Sequence, residues 1–318
     1  MDTTDPPLNP AQQRVVDGLM ARGEERPAFD PMLPAQLLDQ LESGLAPVAE
    51  RLGRGEIVAN KTALAQVLTC ERYRQAEERE GFTWSARRAA GTVAHKAIEL
   101  SVFARDPASP LESVDRAIDR LASAAEPWGP GSYLAGMDAG EMAELRAAAT
   151  ERVTAFADTF PPLKKEWRPV VEARSRVDLC ESRIVLKGKV DLSIGRRQPP
   201  LARVLLVDFK TGSPHHTHAD DLRFYALLET IRMGVPPFRV ASYYLEAARW
   251  HHEDVTDDLL RSTAHRVVQG VTKLVELQVD GREAAISPGP ACRGCSDRHD
   301  CPGARMWEER AEELALSS

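Results

Sequence analysis

One segment limits the fold more than any other: Arg203-Val204-Leu205-Leu206-Val207-Asp208-Phe209-Lys210. Its centre is apolar on both faces of a strand, and such strands lie in the middle of a sheet with both faces covered. An Asp-x-Lys triplet at the end of this strand is unwelcome there unless its charges meet partners. The segment therefore predicts an α/β protein with a polar site at the end of a central strand.

The flanking sequence supplies the rest of such a sheet. Pro169–Leu179 and Arg183–Ile194 alternate as strands, and Gly195–Pro200 carries turn residues. A helix over Ala219–Met233 and a strand over Arg239–Glu246 complete a parallel strand–helix–strand crossover. A long helix, Thr256–Leu277, presents Leu260, Val267, Val271 and Leu274 toward the sheet. Upstream, Lys61–Gln75, Gly91–Phe103 and Glu141–Phe160 have helical spacing, the last stopped by Pro161-Pro162. Residues 1–57 read as a polar extension with helices at Pro10–Met20 and Pro34–Leu45, and 58–318 as one domain.

Net charge is −7. A protein coated for nucleic acid would be basic, so any DNA contact has to come from a local patch. No apolar run reaches the roughly 18 residues of a membrane span, and Met1–Asp5 is acidic with no apolar stretch behind it, so the expected location is cytoplasmic with no membrane partner.

The chemistry concentrates in Leu186-Lys187-Gly188-Lys189-Val190-Asp191 and Val207-Asp208-Phe209-Lys210-Thr211-Gly212. Period-two alternation puts Asp208 and Lys210 on one face and Phe209 on the other. Counting from the centre of the turn sets Asp191 across from about residue 206, a diagonal neighbour of Asp208. Two carboxylates and an ammonium then converge. Hard cations such as Mg²⁺ take one or two carboxylates plus phosphate and water, and a lysine beside them can orient water and offset transition-state charge. An isolated Asp-x-Lys is ordinarily a solvated strand end, and the upstream Gly-x-x-Asp is what raises it above that.

These residues resemble the PD-(D/E)XK nuclease superfamily in its RecB-like exonuclease branch, which includes the nuclease domains of RecB and AddB and CRISPR-associated exonucleases. Gly91-Thr92-Val93-Ala94-His95 is similar to that branch's Gly-x-x-x-His. Gly188-Lys189-Val190-Asp191 matches its Gly-x-x-Asp, and Asp208-Phe209-Lys210-Thr211-Gly212 its Asp-Tyr-Lys-Thr-Gly with Phe for Tyr. Asp221-Leu222-Arg223-Phe224-Tyr225 stands for Gln-x-x-x-Tyr. The resemblance implies a restriction-endonuclease-like core, a mixed central sheet flanked by helices. It implies Mg²⁺ or Mn²⁺ held by His95, Asp191, Asp208 and the carbonyl of Phe209, with Lys210 as catalytic lysine and Tyr225 facing DNA. Taken alone, His95 reads as an ordinary helix histidine. Glu172 sits where the family often has an acid and is otherwise a strand-edge charge. Asp221 departs from the family's Gln, because an ionised carboxylate only accepts hydrogen bonds. His215-His216-Thr217-His218 has no matched metal partners and reads as an exposed loop. Leu8-Asn9-Pro10-Ala11-Gln12 resembles the glutamine motif of RecB-like helicases, but no phosphate-binding Gly-rich loop follows, so no ATP site is expected.

The chain has five cysteines, too few and too unevenly spread for a disulfide framework. Cys292-x2-Cys295-x5-Cys301 suits zinc or an iron–sulfur cluster and needs a fourth ligand. Cys70 is the candidate, since RecB-like nucleases with a cluster carry one cysteine before the core and three after it. The resemblance thus implies a [4Fe–4S] staple. Zn²⁺ is the alternative, with His299 able to replace one thiolate. Cys180 reads as a buried small hydrophobe. The expected activity is metal-dependent phosphodiester hydrolysis in DNA by an exonuclease acting on single strands or duplex ends, in repair, recombination or defence, with a helicase or repair protein as partner. The alternative is a non-catalytic DNA-binding or scaffold subunit that keeps the fold.

Overall fold

The computed structural model describes residues 7–21, 23–102, 108–124, 126, 129–215 and 217–316. The expectations resting on Met1–Asp5, Phe103 and His216 fall outside them. In chain order the helices are α1 (Pro10–Arg14), α2 (Leu33–Arg51), α3 (Lys61–Thr69), α4 (Glu71–Glu80), α5 (Ala86–Val102), α6 (Pro110–Ala122), α7 (Gly131–Ala135), α8 (Ala139–Thr159), α9 (Thr217–Met233), α10 (Asp257–Gln278) and α11 (Pro302–Leu316). The strands are β1 (Ile57–Asn60), β2 (Val170–Leu179), β3 (Ile184–Ile194), β4 (Leu205–Lys210), β5 (Arg239–Tyr244) and β6 (Arg249–Asp254).

The six strands form one mixed sheet in the order β1-β3-β4-β5-β6, with β2 paired to β3. β4 and β5 are parallel, as the α9 crossover requires. Leu206 and Val240 pack into a core with α2, α3, α9 and α10. Leu205, Val207 and Phe209 pack into a second core with α5, α6, α8 and Val15–Leu19. The result is a mixed α/β fold with a central sheet flanked by helices.

The local signals are strong where helices begin. Asp138 and Glu141 form a capping box on α8, and Ser109 and Glu112 form another on α6, with Pro110 in its first turn. The N-terminal extension is helical, and α2 buries Leu37, Leu41 and Leu45 against α10. Each such leucine stabilises the fold by about 1.5–3 kcal/mol.

Four expectations need correction. Lys61–Gln75 is not one helix: Cys70 is extended (φ −162°, ψ 123°) and separates α3 from α4. The break lets the chain at Cys70 meet Ala285–Ser287, a long-range demand that helical spacing cannot register. The α10 stripe packs chiefly on α2, α3 and α9 and shares a core with the sheet through them. The β3–β4 register is shifted, with Leu192 opposite Val207, because the chain turns at Gln198–Leu201 and not at the middle of Gly195–Pro200. Asp191 therefore comes level with Asp208, not with residue 206. Finally, β1, β6, α6 and α11 were not anticipated.

One feature of the sheet positions the site. β2 covers one edge of β3 along almost its whole length. The other edge is shared: β1 pairs with Ile184–Lys187 and β4 with Leu192–Ile194. Gly188–Asp191 lies in the fork between them, with no ladder partner on that edge.

Candidate active site

The fork gathers residues from five elements. β3 brings Asp191, β4 brings Asp208 and Lys210, α5 brings His95, α9 brings Asp221 and Tyr225, and β1 leads directly into Lys61 at the start of α3. All of these except Asp221 border an open cavity of about 860 Å³ lined also by Gly188 and Phe209.

Two glycines permit the close approach. A Cβ on Gly188 would lie 3.0 Å from the ring of Tyr225 and from Leu228, so only hydrogen lets α9 rest on β3 here. A Cβ on Gly91 would lie 3.0 Å from Oγ1 of Thr211, so the same economy seats α5 against the loop after β4. The Gly-x-x-Asp and Gly-x-x-x-His spacings thus have a packing reason.

Asp191 Oδ2 accepts a hydrogen bond from the backbone N–H of Phe209 at 2.7 Å, and its Oδ1 lies 3.4 Å from Nδ1 of His95. Burial pushes the His95 pKa down, but Asp191, with Asp208 and Glu172, raises it further, and the net shift is upward. Asp208 is 3% exposed. Its Oδ1 is 3.4 Å from Nζ of Lys61, and its Oδ2 is 2.5 Å from Nζ of Lys210. Burial pushes the Asp208 carboxyl up, yet the two ammonium groups hold it below the usual carboxylate range. Lys61 is the mirror case: burial lowers its pKa, and Asp208, Tyr225 and Asp221 raise it further than that. Asp221 is 3.5 Å from Lys61 and 3.3 Å from Lys210, so the residue replacing the family's Gln is an ion-pair partner of both lysines. The Tyr225 ring lies 5.0 Å from Nζ of Lys61, and its hydroxyl pKa is raised, chiefly by burial. Glu172 adopts a positive φ of 55° and pairs with Lys189, which keeps it at the margin of the cluster.

Oδ2 of Asp208 is buried and has no hydrogen bond of acceptable geometry. That oxygen faces the Lys210 ammonium, and the carboxylates of Asp208 and Asp191 are the hard-oxygen groups here, with His95 beside them as a nitrogen donor. Among the described residues no group of three or more His, Cys, Asp or Glu stands in a metal-holding arrangement. At Asp208 the two lysine ammonium groups supply the positive charge.

Sequence reasoning missed Lys61 and a lane of cations. Arg174 pairs across β2–β3 with Lys189, and Arg176 with Lys187, and all four line the cavity. Lys189 pairs with Glu172 and Arg176 with Asp178, and the positive charge left over in the lane suits an anion, since like charges opposed across strands are destabilising. The signal was present: two basic residues at i and i+2 on each strand of one hairpin. The lane provides the local patch that a chain of net charge −7 requires.

The histidine loop lies beside the site. Nδ1 of His218 is 3.0 Å from the Tyr244 hydroxyl, and the His218 pKa is pushed down to about 4, first by burial and then by Lys210.

The four predicted cysteines are all buried. Sγ of Cys70 accepts from the Ser287 N–H at 3.4 Å, and Sγ of Cys292 from the Gly289 N–H at 3.5 Å. The Cys295 thiol is pushed up, first by burial, with smaller effects from Asp297, Cys70 and Cys301. All four thiols are free, and among the described residues they do not stand in a metal-holding arrangement. His299 is exposed, and Cys180 sits in the other core beside Glu42. Salt bridges hold the same junction. Glu71 meets Lys273 at 2.8 Å, Arg282 at 2.9 Å and the Ala285 N–H at 2.8 Å, and Asp297 meets Arg79 and Arg72.

No helix among the described residues is long and apolar enough to cross a membrane. The sequence matches the profile of the PD-(D/E)XK nuclease superfamily over residues 59–302. A search of curated proteins finds no match. Among solved structures, a candidate exonuclease from Eubacterium rectale is 12% identical, with a TM-score of 0.43 over 79% of this chain and 90% of that one. SSO0001 is 11% identical, with a TM-score of 0.33 over 84% of this chain and 95% of the other.

Proposed function

From its membership of the PD-(D/E)XK nuclease superfamily, to which the match over residues 59–302 assigns this chain, we propose a metal-dependent nuclease that hydrolyses phosphodiester bonds in DNA. The observation that carries this reading is the buried Asp208 carboxylate, paired with Lys61 and Lys210 beside Asp191 and His95. A carboxylate and two ammonium groups gathered at the end of an apolar strand cost desolvation that an ordinary core avoids.

Asp191, Asp208, His95 and the carbonyl of Phe209 would hold Mg²⁺ or Mn²⁺. When bound, that ion supplies a polarised phosphate and a more acidic water. Lys210 would donate to the attacking water or to the phosphate oxygen on which charge develops. Lys61 would neutralise Asp208 and Asp221 so that an incoming phosphate meets less repulsion. The lane of Arg174, Arg176, Lys187 and Lys189 would grip the backbone, and Tyr225, whose edge borders the cavity, would face the strand. Exonucleolytic action on single strands or duplex ends, and a role in repair, recombination or defence beside a helicase, follow from the RecB-like motifs. The four cysteines would carry a [4Fe–4S] cluster.

The test is degradation of labelled single-stranded DNA with Mn²⁺ by anaerobically purified protein, beside Lys210→Ala. The wild type should degrade the strand, and the variant should lose about 10²–10³-fold. Equal degradation by both, or by neither, defeats the catalytic reading. Asp221 favours one rival: with a carboxylate drawing on both lysines, the fold would serve as a non-catalytic DNA-binding subunit. In that case the wild type binds DNA and leaves it intact.

A further inference from the structure

A second cavity, of about 320 Å³, opens beside the acidic centre over the β5–β6 edge of the sheet. Strand register fixes its relation to that centre. Ser242 is the partner of Asp208, Tyr244 of Lys210, and His251 of Ser242 across to β6. Register partners share a face, so the cavity is on the face that carries Asp208 and Lys210. Neighbouring strands lie about 4.8 Å apart. Its mouth is therefore about one strand's breadth from the catalytic lysine.

The lining is planar and ring-rich. Tyr244 and His251 stand edge to face with centroids 5.8 Å apart, and His218 is tilted on Tyr244 at 5.8 Å. Leu222 and Val240 add apolar wall, and Glu253 and His252 stand at the lining as well. At its base Ser242 is 2% exposed, and its Oγ has no hydrogen-bond partner among the described residues. A buried hydroxyl left unpaired costs about 1–3 kcal/mol, and the packing of an ordinary core would satisfy it. An apolar, ring-lined slot with one unspent hydroxyl beside a phosphate-handling centre suits a flat heteroaromatic group with hydrogen-bonding edges.

We propose that this cavity receives an unpaired nucleobase of the strand held at the acidic centre. The base would stack on the exposed ring of His251 and meet the Tyr244 ring edge to face, and Ser242 Oγ would hydrogen-bond its edge. Serine both donates and accepts, so the slot admits any of the four bases. A base still paired in a duplex cannot enter, so the slot would make the enzyme select single-stranded or frayed ends. This inference rests on the nuclease reading and adds to it a base-binding subsite that would account for single-strand selection.

The experiment uses the full chain, with no divalent metal added, and follows fluorescence anisotropy of a labelled hexathymidine and of an abasic hexamer with the same phosphates. Wild-type protein should prefer the hexathymidine, and in His251→Ala that preference should shrink about tenfold, the scale of one base–ring stack. His251 is exposed, so its loss leaves the fold intact. Tyr244→Phe keeps the ring and should keep the preference, whereas Tyr244→Leu should not. Equal preference in wild type and His251→Ala overturns the base slot, and if Mn²⁺-dependent cleavage persists the nuclease reading survives it. A wild type that neither binds nor cleaves either oligomer defeats both.

Discussion

The acidic centre and the cysteine junction both unite residues far apart in the chain, but they are positioned by different forces. Asp191, Asp208 and Lys210 are set by the backbone ladders of β3, β4 and β5, and Gly188 and Gly91 let the helices close on them. The cysteines sit in an extended break, a short 3₁₀ turn and a loop, and side-chain charges secure them. A ladder shares its load over many bonds, while the junction concentrates its load on Glu71 and Asp297. Substitutions in the centre should therefore remove chemistry and spare the fold. Substitutions at the junction should loosen the fold.

The largest effect to test is Asp208→Asn. It should abolish cleavage, about 10³-fold or more, while thermal unfolding changes little. A collapse of the melting temperature would break the contrast. Next comes Glu71→Ala, which strips a buried carboxylate from three partners. Losing one member of a buried pair costs about 3–5 kcal/mol, and because Lys273 and Arg282 are over a third exposed the expectation is nearer ~2 kcal/mol. Urea unfolding would measure it, and a shift below about 0.5 kcal/mol would show that the ladders hold the junction too. Cys70→Ser should remove the brown absorbance at about 400 nm expected of thiolate-bound iron. A colourless, zinc-loaded wild type would replace the iron–sulfur assignment. Lys187→Ala should lower the salt dependence of DNA binding by about one unit of slope and leave the absorbance untouched.

The smallest effect is with pH. Burial pushes the Glu71 carboxyl up, but hydrogen bonds from Lys273, the Ala285 N–H and Arg282 hold it below its ordinary value. A lowered folded-state pKa means that the stabilisation is fully present above the unfolded value of about 4.3 and fades as pH falls through the lower folded one. Hydrogen exchange across 282–301 should quicken in that acid window and not between pH 6 and 8.

The same contrast explains what the sequence made legible. β4 was visible because an apolar run ending in Asp-x-Lys has few other homes, and the motif spacings brought His95, Asp191 and Asp208 together. Lys61 was not, because β1 is four residues long and its pairing with β3 is a parallel, long-range contact. β6 alternates weakly, Trp250 apart, and reads as a loop. The break at Cys70 was hidden because Lys61–Gln75 has helical composition, and only Ala285–Ser287, over 200 residues away, asks for the interruption. The turn at Gln198–Leu201 decided the register, and Gly195 and the Pro199-Pro200 pair offered more than one place to reverse the chain.

The fork that positions Asp191 and the junction that joins Cys70 to Cys301 also impose an order of events. A ribosome adds about 5–20 residues per second, so Cys70 emerges roughly 10–50 s before Cys301 exists. β1 waits a comparable time for β3, which must itself be flanked by β2 before β4 arrives. During that interval α3 and α4 are a nascent segment with an accessible thiol and no partner to settle against. The last cysteines are thus a timer: the contacts between the two ends of the chain cannot close until nearly the whole of it has been made.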